Sequence, residues 1–262
     1  MRTRLFAGTM LCATLATPLR AQASNDEARL TVGIIGGWIG GSALWSVNQP
    51  VFANFGRTDQ FLLVRDLRGN IAVSGQLTYF PTPRLGWTGE LSYTGLGTRD
   101  GCRLAVDNGD QFNRDACAAI DGRDRAASAV SAMAGLVYRL GSRTDLQPYL
   151  RGNLGLSLVP RSTTAMVAFF GEDDDVALPI YLEDESRTAK PTAALSIGMA
   201  TAPNAGYQFR VELRGTAVQL DVVTGPTAIG VLEPDVRGKW VILPSISVGL
   251  DVVLEKRRGR RY

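Results

Sequence analysis

The chain has 262 residues, 45% of them apolar and 20% charged, with a mean hydropathy of +0.02. It contains no histidine, which excludes Ser–His and Cys–His nucleophilic catalysis and His-bearing zinc sites. The formal charge of +3 comes entirely from Arg2, Arg4 and Arg20. The remainder is neutral and offers no electrostatic footprint for nucleic acid.

Residues 1–23 read as a signal peptide. Arg2 and Arg4 precede an apolar run over 5–19, and Ala21-Gln22-Ala23 has the small-x-small pattern of a cleavage site. Residues 24–262 then form one domain. Its first predicted strand spans 29–47, with Leu30, Val32, Ile34 and Trp38 on one face. The glycine run from Gly33 to Gly41 lacks the Gly-x-Gly-x-x-Gly spacing and the following helix of a nucleotide loop. A long polar connection, 48–70, separates this strand from a hairpin.

That hairpin has the strongest pattern. Strand 71–81 places Ile71, Val73, Leu77 and Tyr79 opposite Ala72, Ser74, Gln76 and Thr78. After the turn PTPR, strand 85–97 places Leu85, Trp87, Leu91 and Tyr93 opposite Gly86, Thr88, Glu90 and Ser92. Each arm is about ten residues long, enough for a tilted strand to cross a bilayer's hydrocarbon layer. One face suits lipid and the other a polar lumen.

A second long connection, 98–125, carries Cys102 and Cys117. An even pair this close in an exported chain predicts one disulfide. Strands 128–140 and 147–158 follow, joined by GSRTD. They put Val130, Leu136, Tyr138, Leu150, Leu154 and Leu156 on the apolar side, and Ser131, Arg139, Tyr149, Arg151 and Asn153 on the other. A third connection, 160–190, holds the acidic clusters 172–175 and 183–185. Strand 192–201, the turn APNAG and strand 207–223 come next. Tyr207, Phe209, Val211 and Leu213 there alternate with Gln208, Arg210, Glu212 and Arg214. A fourth connection, 224–239, precedes strand 240–254, and a basic tail ends at Tyr262.

Eight strands result, and their connections alternate long, short, long, short, long, short, long. This predicts an all-β, eight-stranded antiparallel up-and-down transmembrane barrel with short periplasmic turns and long outer loops. Tyr79, Phe80, Trp87, Tyr138, Tyr149, Tyr207 and Phe209 near the short turns, and Trp45, Tyr93 and Trp240 near the long loops, read as two interfacial girdles.

The pattern over 29–254 resembles the small eight-stranded outer-membrane barrels, the OmpA-like transmembrane and opacity-type group. The resemblance implies residence in the cell outer membrane of a Gram-negative cell. It also implies contact with outer-membrane lipid and with the barrel-insertion machinery. Members often end on a terminal aromatic of the last strand; here a basic tail intervenes, and Tyr262 is the residue in that place. Enzymatic members use an active-site histidine, so the expectation is a non-enzyme without cofactor.

Glu90, Arg139, Arg151, Arg210, Glu212, Arg214 and Asp251 share the polar face and are expected in the lumen. An eight-stranded interior is just wide enough for side chains to fill, and buried charges must pair, so a salt-bridged plug is expected over a conducting track. Asp173, Asp174 and Asp175 are weak candidates for Ca²⁺ or Mg²⁺, without the spaced ligands of a calcium loop. The expected role is structural or surface-interacting, carried by the outer loops toward a surface ligand or a host or envelope component. A small-solute or ion channel, and a soluble periplasmic lipid-binding barrel with its leucines turned inward, are the alternatives.

Overall fold

The computed structural model describes residues 27–141, 146–160, 164–170, 176–182 and 187–257. The signal peptide, most of GSRTD, both acidic clusters with Asp173, Asp174 and Asp175, and Tyr262 lie outside the described residues. No described helix is long and apolar enough to cross a membrane.

Eight strands close into an antiparallel barrel: β1 (Glu27–Ile39), β4 (Asn70–Tyr79), β5 (Leu85–Gly95), β8 (Ser128–Arg139), β9 (Leu146–Pro160), β12 (Arg187–Thr201), β13 (Tyr207–Val223) and β14 (Val236–Arg257). Each strand pairs with its sequence neighbour in this set, and β1 closes the ring on β14. The alternation drives the facing. Leu91 is 66% exposed, Leu154 72% and Phe209 63%, while Glu90 and Glu212 are 3% and 1% exposed. This is the reverse of a lipid-binding barrel, whose apolar residues would point inward.

The long connections depart from the sequence reading. The segment 29–47 is not one strand: β1 stops at Ile39, and β2 (Ser42–Phe52) belongs to a different sheet. Gly41 makes the break, because a Cβ there would meet the Leu67 carbonyl oxygen at 2.2 Å. The stretches read as polar connections also fold. With β3 (Thr58–Leu67), β6 (Thr98–Val106) and β7 (Asp124–Arg125), β2 builds a four-stranded sheet in the order β2-β3-β6-β7. A separate two-stranded hairpin from the third connection, β10 (Met166–Phe170) and β11 (Val176–Tyr181), packs on the same core through Met166, Ala168, Ile180 and Tyr181.

The helix α1 (Gln111–Ile120) completes this cap. The Asp110 carboxylate caps it by accepting from the Phe112 amide at 3.0 Å. Asn113, Ala116, Cys117 and Ile120, spaced three, four and seven apart, form its buried face. Gly122, at φ +77°, turns the chain away just past its end. The Cys102–Cys117 disulfide staples α1 to β6.

Cap and barrel share one core. Leu44, Val47, Phe61, Leu63 and Ile120 of the cap cluster with Ile39, Leu96, Ala129 and Val159 of the strand ends. Val218, Leu220, Val241 and Leu243, on the extended tops of β13 and β14, join them. Those two strands reach beyond their neighbours because the cap covers their inner apolar face. The cap therefore sits over one mouth of the barrel.

Opening the disulfide is expected to weaken the cap by about 3 kcal/mol, the loop-closure value for a loop of this size. Cys102→Ser with Cys117→Ser should lower the denaturant midpoint read by Trp45 fluorescence and leave the barrel transition in place.

Candidate functional site: lumen and cap

The inward faces of the strands bring six of the seven expected polar residues into burial at 6% exposure or less. The seventh, Arg214, has a side chain 10% exposed. Arg151 on β9 is the hub. Its guanidinium reaches Glu212 on β13 and the Gln76 side-chain oxygen on β4, and lies 3.9 Å from Glu90 on β5. The Tyr149 hydroxyl donates to Glu212 at 2.9 Å. Glu90 in turn accepts from Gln76 at 3.1 Å, Asn153 at 3.0 Å and Arg214 at 2.6 Å. Nearer the short turns, Arg210 and Asp251 approach to 3.2 Å. Arg139 donates to the Ala28 carbonyl at 2.9 Å, and its guanidinium lies 3.4 Å from the centre of the Phe80 ring.

Gln76, Asn153 and Tyr149 are part of this cluster, although reading charges alone does not single them out. The alternation that places Glu90 and Arg151 inward places them inward too.

Two small cavities flank the cluster. One, of about 30 Å³, lies beside Phe80, Tyr149, Arg210 and Asp251. The other, of about 50 Å³, lies beside Ser74, Glu90, Ser131 and Arg214. A cavity needs roughly 10–15 Å³ to hold one water, so each takes a few waters. Arg151, Glu212 and Gln76 stand between them.

The aromatic girdles are narrower than the sequence suggests. Tyr79, Trp87, Tyr138, Tyr207 and Phe209 face outward at the short-turn end, and Tyr93, Trp240 and Trp38 at the capped end. Phe80 and Tyr149 are instead buried inside, and Trp45 belongs to the cap core. Phe80 shares the parity of Ser74, Gln76 and Thr78, so the alternation itself turns it inward, beneath Arg139. Trp45 lies past the Gly41 break.

In the cap, Arg65 and Asp100 form an ion pair with both side chains at 1% exposure or less. Two hydrogen bonds, of 2.6 and 2.9 Å, join them, and Arg65 also donates to the Ala165 carbonyl. Toward the far tip, Asp59 accepts from the Asn113 side chain at 2.8 Å and the Asn108 amide at 2.7 Å. Burial alone raises the Asp59 carboxyl; these hydrogen bonds outweigh it and hold the group below its ordinary value. Burial pushes Tyr181, which donates to Gln49 at 2.9 Å, up to about 12. The described residues contain no group of three or more His, Cys, Asp or Glu side chains able to hold a metal ion.

Fold and site together define a small, closed, eight-stranded barrel with an apolar outside, a charged and filled inside, and a folded cap. No family model and no curated protein sequence matches the chain. Among solved structures it is similar to Neisserial surface protein A, at 10% identity over 87% of this chain and 99% of that one, with a TM-score of 0.43. It is also similar to the N-terminal barrel domain of OprF from Pseudomonas aeruginosa (12% identity, 86% and 99% coverage, TM-score 0.34). A third is Ail of Yersinia pestis, solved with the heparin analogue sucrose octasulfate (13% identity, 85% and 99% coverage, TM-score 0.34). At these values the likenesses carry nothing about function, and the fold assignment rests on the hydrogen-bonded ladders.

Proposed function

We propose that this chain is a non-enzymatic outer-membrane protein. Its barrel anchors it, its lumen is closed by ion-paired side chains, and its cap presents a surface for interaction outside the cell. The observation that carries the reading is the ring of exposed Ile34, Leu77, Leu91, Leu154, Leu195, Phe209 and Val248. So much exposed apolar surface is unfavourable in water and is what a transmembrane barrel turns to lipid. Short turns and both strand-forming chain ends lie opposite the cap, which suits insertion from the periplasm with the cap outside. The former loops are folded, cross-linked and packed, so the surface they present is preorganised for a partner.

Two measurements test this. The unboiled protein should migrate faster than the boiled form on a gel, and planar bilayers containing it should stay silent. Extraction without detergent as a monodisperse species would overturn the membrane reading. Steady unitary conductance would overturn the closed lumen and favour a channel.

A further inference from the structure

The loop from β6 into α1 reads Asp107-Asn108-Gly109-Asp110, and Asn108 is the one asparagine of the chain followed by glycine. Hydrogen bonds fasten this loop to β3 and to the turn before it, at the far tip of the cap. The Asn108 amide donates to the Asp59 carboxylate, and the Asn108 side-chain nitrogen donates to the Thr58 carbonyl at 2.8 Å. The Asn54 amide donates to Asp110 at 2.9 Å, and the same Asp110 caps α1. The start of the helix thus depends on how this loop is held. Asn108 and Gly109 themselves are exposed.

The loop also sets up a reaction between these two residues. Gly109 has no side chain to shield its nitrogen. It sits at φ +91°, with no atom within 4 Å of where a Cβ would stand. Its N–H donates to the Asp107 carboxylate at 2.8 Å, so a base already holds the proton of the attacking nitrogen. The Gly109 nitrogen bonds to Cγ of Asn108 and passes its proton to Asp107. The bond from Cγ to the side-chain nitrogen breaks, and that nitrogen leaves as ammonia with the proton. Water then opens the cyclic imide. Cleavage of the imide at Cγ gives aspartate; cleavage at the main-chain carbonyl carbon gives isoaspartate, with the backbone rerouted through Cγ.

The product inverts the contact it replaces. A nitrogen that donated to the Thr58 carbonyl becomes a carboxylate oxygen facing it, in a loop already holding Asp59, Asp107 and Asp110. Two acceptors cannot bond, and like charges repel. The isoaspartyl form also lengthens the main chain by an atom, which draws Asp110 away from Asn54 and from the Phe112 amide. Ammonia diffuses away, so the change runs in one direction.

We infer that Asn108 is a site of spontaneous deamidation that unfastens the far tip of the cap and frees the first turn of α1. The site needs only the geometry of the cap, and its conversion remodels with age the surface proposed above to meet a partner.

Incubation of the full chain, refolded in detergent, near neutral pH and body temperature tests it. Cleavage after Arg103 and Arg114 releases a peptide that holds Asn108 and, as an internal control, buried Asn113. Fragment sequencing should find the mass gain of deamidation at Asn108 and not at Asn113, and an isoaspartyl methyltransferase should label the product. The bond to Thr58 restrains the side chain, so the folded chain should convert up to about tenfold more slowly than the chain in urea, the factor one hydrogen bond is worth. Asp107→Asn keeps an acceptor for the Gly109 N–H and removes the base. It should slow conversion of the folded chain by about tenfold and leave the rate in urea unchanged. That is a small effect for a base, because the bonds from Arg114 and Gly109 hold the Asp107 carboxyl below its ordinary value. In the converted chain the Asn54 and Phe112 amides should exchange hydrogen faster, with the heat-shifted gel band retained. Asn108 left intact in the folded chain while the unfolded chain converts would overturn the site. Equal rates in the native and Asp107→Asn folded chains would overturn the part given to Asp107, and unchanged exchange at Asn54 and Phe112 would overturn the unfastening.

Discussion

Replacing Arg151 by Met is expected to destabilise the barrel by about 3–5 kcal/mol, the cost of leaving a buried charge without its partner. Glu212, at 1% exposure, is that partner, and it keeps only the Tyr149 hydroxyl once Arg151 is gone. Gln76 loses its donor as well. Glu212→Gln should cost a similar amount for the converse reason. The double variant, Arg151→Met with Glu212→Gln, should cost less than the sum by at least ~2 kcal/mol, since neither charge is then left alone. Urea unfolding in lipid vesicles, followed by loss of the heat-shifted gel band, measures all three. Strict additivity would show that the two residues do not act as a pair.

Replacing Arg65 by Met should have an effect of similar size, about 3–5 kcal/mol, but confined to the cap. Asp100 would keep only Arg125, at 3.4 Å, and the Ala165 carbonyl would lose its donor. Arg65 also lies over the Trp45 ring, 5.4 Å from its centre, so the near-ultraviolet circular dichroism of that side chain should collapse. The barrel band on the gel should persist, because none of the eight barrel ladders passes through Arg65. Loss of that band together with the circular dichroism signal would show instead that cap and barrel fold as one cooperative unit through the core they share.

The barrel was legible in the chain because each spanning strand meets two contrasting solvents. Leu77 and Gln76, or Leu91 and Glu90, announce their sides by chemistry alone, and strand 207–223 carries the same bounds in both readings. The cap was not legible in the same way. Its strands bury one face on a core and leave the other in water, so 42–47 reads on from 29–39 as strand. The change of sheet shows only in Gly40-Gly41 and in the shift of apolar residues from even positions (Leu30, Val32, Ile34, Trp38) to odd ones (Trp45, Val47, Val51). The helix did leave a signal: Asp110 as a cap, then Asn113, Ala116, Cys117 and Ile120 at helical spacing. Polar neighbours on every side hid it. Nearness to a strand end puts Phe80, Tyr149 and Trp45 in girdles, but parity decides the first two, which share the inward side of Thr78 and of Arg151, and the change of sheet decides Trp45.

Composition and a two-residue period thus determined the number of spanning strands, their facing, the polarity of the interior and the disulfide. These are properties of single strands against their surroundings, and period-two chemistry records them locally. Which carboxylate each arginine meets, that the long connections make a sheet and a helix, and that this cap closes one mouth were decided only in three dimensions. Such pairings join residues as far apart in the chain as Arg214 and Glu90, and strand register and barrel closure, rather than local spacing, bring them together.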